Sequence, residues 1–197
     1  MSVPRRRAVF LDRDGTINVD HGYVCRAEEF EIIPGAPEAI RRLRDAGFQV
    51  IVVTNQAGIA RGYYGETELH ALHCHLDREL ERSGTAIDAY YYCPHHPEQG
   101  IGPFRRDCEC RKPLPGMLRQ AAADRAIDLE GSYLVGDKLS DIQAGLAAGC
   151  TPILVLTGYG ARVEVIPPEV ARVADLAAAA DMILSKQTPH SRGPERS

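Results

Sequence analysis

Short apolar runs, most of them stopped by an acidic, polar or glycine residue, alternate along this chain with longer stretches of helical periodicity. Arg7 to Leu11 and the β-branched run Phe48-Gln49-Val50-Ile51-Val52-Val53 read as buried parallel strands, the first ending at Asp12 and the second at Thr54-Asn55. Between them Pro37 opens a helix in which Ile40, Leu43 and Ala46 share a face, and Gly47 closes it. Glu66 to Arg82 carries Leu69, Leu72, Leu76 and Leu80 at helical spacing and leads to a strand over Ile87 to Cys93. A helix from Met117 to Ile127 precedes the strand Tyr133-Leu134-Val135, which stops at Gly136-Asp137. Ser140 is placed to cap a helix running to Ala148, Gly149 ends it, and Ile153 to Leu156 supplies a fifth strand. Val170 to Val173 adds a short edge strand, Leu176 to Leu184 a closing helix, and Lys186 to Ser197 a loose tail. The alternation predicts an α/β fold: a single Rossmann-like domain over residues 1–197, with a mostly parallel central sheet flanked by helices. Its site belongs outside the carboxyl ends of the strands.

Composition narrows the partners. A chain of 197 residues has room for one ordinary core and not for a second large domain. A formal net charge of -4 argues against a broad basic face for nucleic acid, so any anion site must be built locally. Arg5-Arg6-Arg7 imitates the start of a signal peptide, but the apolar run behind it stops at Asp12. No stretch approaches the roughly 18 apolar residues of a membrane span. A cytoplasmic location is therefore expected, with neither membrane nor nucleic acid as partner. The cysteines at 25, 74, 93, 108, 110 and 150 are unevenly spread. Three of them crowd together with His95, which suggests a metal cluster plus free thiols rather than a disulfide framework.

The residues able to do chemistry sit at strand ends. Asp12-Arg13-Asp14-Gly15-Thr16 holds two carboxylates one residue apart on a turn that Gly15 permits. Their repulsion calls for a cation or a proton, so one can bind magnesium while the other keeps a raised pKa; a solvated loop is the plain alternative. Asp137-Lys138, followed by Asp141, ends another strand, and if the two strands adjoin Asp137 completes an oxygen-rich magnesium site with Asp12. Asp141 would then orient Lys138 or a metal-bound water. Thr54 and Asn55 offer a hydroxyl and backbone N–H groups for phosphate oxygens, and Arg111-Lys112 a forked and a compact cation. Cys93-Pro94-His95 facing Cys108-Glu109-Cys110 can close a tetrahedral, structural zinc site that pins the loop 93–110; ordinary free thiols are the alternative. His70, His73 and His75 read as surface residues of a leucine-striped helix, whereas His21 lies in a loop able to close over a substrate.

These segments resemble a family. FLDRDGTIN, VVVTNQ, CRKP and VGDKLSD look like the four motifs of haloacid dehalogenase-like phosphatases. That resemblance implies Asp12 as nucleophile and Asp14 as acid and base, with the Asp14 carbonyl and Asp137 completing a magnesium site. It also implies Thr54 and Lys112 as the groups that hold the phosphoryl. DHGYV, VVVTNQAGIARG and YYCPHHP, in the same order, resemble more narrowly the bacterial heptose bisphosphate phosphatases, over about residues 7 to 184. That branch is zinc-containing and nearly capless, and its pattern places the imidazole ligand at His95 rather than His96. It implies substrate contacts from Asp20, His21, Gly22 and Tyr23, from Thr54, Asn55, Gln56 and Ala57, and from Arg111, Lys112 and Lys138. The implied reaction removes the 7-phosphate of a small phosphorylated sugar on the way to ADP-heptose and lipopolysaccharide, in a monomer. Many relatives carry Ser where this chain has Ala57, and residues 159–169 have no assigned role. Histidinol-phosphate phosphatase, which shares the acidic motifs and the zinc loop, is the alternative of the same chemistry; a non-catalytic zinc-stabilised binding module is the alternative of another class.

Overall fold

A computed structural model describes residues 5–187. Six strands form one wholly parallel sheet: β1 (Ala8–Leu11), β2 (Gln49–Asn55), β3 (Ala89–Cys93), β4 (Tyr133–Gly136), β5 (Thr151–Val155) and β6 (Ala171–Val173). Their order across the sheet is β3-β2-β1-β4-β5-β6. The chain thus winds outward from β1 in one direction, then returns to the other side of β1 and winds the opposite way. A crevice opens where the order reverses, between β1 and β4.

Side chains of a strand alternate between faces, and the core divides accordingly. Val9 and Leu11 of β1 pack with Val50, Val52 and Val135 against α1 (Ala36–Asp45) and α6 (Leu176–Ser185). Ala8 and Phe10 pack with Ile51, Val53 and Leu134 against α4 (Gly116–Arg125) and Ala144 of α5 (Leu139–Ala148). Because both faces are covered, the inner strands β1, β2, β4 and β5 carry continuous apolar runs and not alternating ones. A one-turn helix α2 (Ala57–Ala60), absent from the expected elements, precedes α3 (Glu66–Arg82).

Several details differ from the sequence reading. Helix α1 ends at Asp45, so its buried stripe is Ala36, Ala39, Ile40 and Leu43 and leaves Ala46 exposed. Ser140 lies inside α5 and does not cap it; the Asp141 carboxylate reaches back to the Lys138 N–H at 2.9 Å. His73 is buried, because it stands four residues after Leu69 and three before Leu76 on the stripe that faces the sheet. Its ring stacks on Tyr90 at 4.2 Å, and desolvation holds its pKa down to about 3, so it is a neutral core residue. Of the proposed tail, residues 188–197 lie outside the described residues. No helix among those described is long and apolar enough to cross a membrane.

Candidate functional site

The parallel pairing of β1 with β4 sets Leu11 opposite Val135, so the next residues of both strands emerge side by side. Asp12, held by its N–H on the Val135 carbonyl at 2.9 Å, and Asp137, just beyond Gly136, converge there. Together with Asp141 their carboxylate oxygens lie within 4.8 Å of one another, all buried. Gly15 is required at this point: a Cβ on it would collide with the Asp137 carboxylate, and its φ of 87° suits glycine.

Lys112 enters the cluster from the loop after β3. Its ammonium sits 3.0 Å from Asp12 Oδ1 and 2.6 Å from Asp141 Oδ1, and donates to the Val53 carbonyl at 2.8 Å. Burial alone would push its pKa down, but Asp12 and Asp141 outweigh that and hold the charge in place. Asp141 therefore orients the Lys112 side chain and touches Lys138 only through the main chain, unlike the sequence reading. Asn55 spends both ends of its amide on Lys112, donating to its carbonyl and accepting its N–H, each at 3.0 Å.

Asp137 is the odd member. Its Oδ2 accepts the Tyr159 N–H at 2.8 Å, while its buried Oδ1 has no hydrogen-bond partner and the Lys138 ammonium is 3.6 Å away. Desolvation, then the neighbouring Asp12 charge, pushes its pKa up to about 7. Three buried carboxylates against two ammoniums leave a negative surplus, and an orphaned oxygen points into it. An oxygen-ligated divalent ion such as magnesium fits that donor set.

Asp14 lies apart from this group, in a cage of donors. Arg13, fully buried, binds it from Nε and Nη2 at 2.8–3.1 Å; Asn18 Nδ2 donates at 3.0 Å and Gln56 Nε2 at 3.1 Å. Every contact is one that an ionised carboxylate accepts.

A cleft of about 410 Å³ opens over these residues. Asp14, Asp20, Gly22, Tyr23, Asn55, Gln56, Ala57, Arg111, Lys112 and Lys138 line it, which brings most of the sequence-predicted positions together. The Lys138 ammonium pairs with Asp20 at 3.1 Å across the cleft. Thr54, buried beneath it, is linked to Gln56 at 2.8 Å. His21 does not join them: its ring is turned outward to Glu31 at 3.4 Å. Tyr64, Ser140 and Tyr159 also line the cleft and escaped the sequence reading. Ser140 had a signal, lying in the acidic segment after β4, and Tyr159 only its place shortly after β5; nothing in the spacing marks Tyr64.

The sulfur cluster stands beside this cleft. Cys93 Sγ lies 3.5 Å from Cys108 Sγ and 3.9 Å from His95 Nδ1, and Cys110 Sγ lies 3.2 Å from Cys108 Sγ and 3.4 Å from His95 Nδ1. Thiolates on a tetrahedral ion with bonds of about 2.3 Å stand about 3.7 Å apart, so these edges match a closed four-donor site. All six cysteines are unpaired. Arg111 Nη1 donates to the His95 carbonyl at 3.2 Å, tying the cluster to the cleft wall.

Comparison with known proteins agrees with this geometry. Residues 9–92 match the haloacid dehalogenase-like hydrolase family model, and residues 109–180 a HAD-hydrolase-like model. The D-glycero-β-D-manno-heptose-1,7-bisphosphate 7-phosphatase of Yersinia pestis is 51% identical over 80% of this chain and 82% of its own. The enzyme of that name from Escherichia coli K12 is 49% identical over 88% and 87%. The crystal structure of D,D-heptose 1,7-bisphosphate phosphatase from B. bronchiseptica, complexed with magnesium and phosphate, superposes with a TM-score of 0.83 at 40% identity, over 91% of this chain and 99% of that one. Identity at this level, over four fifths or more of both chains, shows that the chain belongs to the D-glycero-β-D-manno-heptose-1,7-bisphosphate 7-phosphatase family of haloacid dehalogenase-like hydrolases.

Proposed function

We propose that this chain hydrolyses the 7-phosphate of D-glycero-β-D-manno-heptose 1,7-bisphosphate, leaving the 1-phosphate for ADP-heptose and lipopolysaccharide synthesis. The convergence of Asp12 and Asp137, with the Lys112 ammonium on Asp12, in a chain 51% identical to a relative of that name, carries the reading. In the first half-reaction the Asp12 carboxylate attacks phosphorus, the bond from phosphorus to the sugar oxygen breaks, and Asp14 delivers its proton to that oxygen. In the second, Asp14 takes a proton from water, the water oxygen attacks the aspartyl phosphate, and Asp12 leaves as the free carboxylate. The donors around Asp14 suit its ionised form, the form that activates water. Lys112, fixed by Asp141, Val53 and Asn55, places an ammonium beside the nucleophile to balance charge on the transferring group.

Asp12, Asp137 and the Asp14 carbonyl are the groups we assign to magnesium, which when bound neutralises the phosphoryl oxygens. Cys93, His95, Cys108 and Cys110 we assign to a structural zinc, since four protein donors leave no open position. Arg111 and Lys138 supply further cations along the cleft and suit a substrate with a second phosphate. Six cysteines without a disulfide among them suit a reducing cytoplasm, and a site completed within one chain suits a monomer. Phosphate release from both heptose bisphosphate anomers and from histidinol phosphate, measured side by side, tests the assignment. The β-bisphosphate should give the highest kcat/KM, and a preference for histidinol phosphate would overturn it.

A further inference from the structure

Helix α2 and the turn after it carry no residue with an assigned role beyond Ala57, yet they are built around one side chain. Tyr64 is buried, and a Cβ on Gly58 would collide with its ring, so the turn closes over the phenol only because residue 58 is glycine. The phenol donates to Gln56 Oε1 at 2.5 Å. With that oxygen occupied, the Gln56 amide presents Nε2 to the site, where it donates to Thr54 Oγ1 at 2.8 Å and to Asp14 Oδ2 at 3.1 Å. Reversing the amide would set Oε1 against the Asp14 carboxylate and give the phenol a donor where it now has an acceptor.

The direction of this relay decides what Thr54 can do. A hydroxyl has one hydrogen, and Thr54 here receives the N–H of Gln56 as acceptor, which leaves its own hydrogen for another partner. With the amide reversed, the hydroxyl hydrogen would be drawn to Gln56 Oε1.

We propose that Tyr64 is a positioning residue whose phenol sets the polarity of a Tyr64-Gln56-Thr54 relay, so that the Thr54 hydroxyl is held as a hydrogen-bond donor to the transferring phosphoryl group. The inference rests on the reading of Asp12 as nucleophile with Thr54 beside the phosphoryl site. Burial holds the phenol pKa above its usual value, which keeps the tyrosine a donor across the working range.

Tyr64→Phe keeps the ring under Gly58 and removes only the donor. It should lower kcat/KM about five- to tenfold, the scale of one lost buried hydrogen bond. Because the relay acts on the phosphoryl group and not on the sugar, the factor should be the same for the heptose bisphosphate and for p-nitrophenyl phosphate. In a Thr54→Val background, or in a Gln56→Leu background that cuts the relay at its middle, Tyr64→Phe should have no further effect. Thermal unfolding of each variant checks that the fold is retained. An unchanged rate, a loss confined to the heptose substrate, or the same loss in both backgrounds would overturn the relay. Asp12→Asn separates the two levels of argument: if it retains turnover on both substrates the reading of the site falls, whereas an inactive Asp12→Asn with additive Tyr64→Phe removes the relay alone.

Discussion

The carboxylate cluster at the centre of the sheet and the sulfur cluster beside it both gather their donors within 4.8 Å, but they are closed in different ways. Asp12 and Asp137 come from two neighbouring strand ends and Asp141 from the first turn of α5; they draw on Lys112 from a distant loop for balance and leave the buried Asp137 Oδ1 without a hydrogen-bond partner, beside an open cleft that Lys112 and Lys138 line. Cys93, His95, Cys108 and Cys110 come from the two ends of one loop and face one another on every side, with no direction left for a substrate. On the function proposed above, the difference separates a site that works from a site that holds. An unmet buried charge is tolerated where it is used, and a complete donor set serves to fix a loop that has little apolar core of its own.

Three experiments press on that contrast. Asp12→Asn should have the largest effect, lowering phosphate release at least about a thousandfold by removing the nucleophile, while zinc content stays at the wild-type level. Turnover within tenfold of wild type would break the assignment. Cys108→Ser should act in the opposite sense, lowering zinc content and the unfolding midpoint by about 5–10 °C, with a secondary loss of activity through Arg111 and Lys112. Full zinc retention, measured by elemental analysis of the purified protein, would remove Cys108 from the donor set.

The smallest effect is a pH dependence confined to the acidic cluster. Asp137 is raised from 3.8 to about 7, so between these values the native state binds more protons than the unfolded chain. In protein freed of divalent cations, its contribution to stability is present below about pH 4 and is lost as pH rises through 7. Magnesium needs the ionised form, so the midpoint increase it produces should grow over the same interval. Comparing wild type with Asp137→Asn at several pH values, with and without magnesium, isolates the contribution of this carboxyl group. Identical pH slopes in the two proteins would contradict it.

Much of this was readable before the structure. Strand ends, helix starts and the α/β class follow from where apolar runs stop, which is a local property of the chain. The pairs Asp12/Asp14 and Asp137/Asp141, and the Cys-x-His and Cys-x-Cys spacings, are local as well, and so are the candidates they mark. His73 departs from the surface place expected of it: its position on the leucine stripe outweighs its polarity. His21 was placed in the right loop, but that loop turns its ring outward toward Glu31.

What the chain alone determines, then, is which residue types stand at which strand ends, because periodicity and spacing act over a few residues. Tertiary structure decided the partners: that Asp141 and Asn55 serve Lys112, that Asp14 is caged by Arg13, Asn18 and Gln56, and that Tyr64 reaches Gln56. The physical reason is that a hydrogen bond is made over about 3 Å and in a fixed direction. Which donor meets which acceptor is settled only when β4 pairs beside β1 and the distant loops close over their ends.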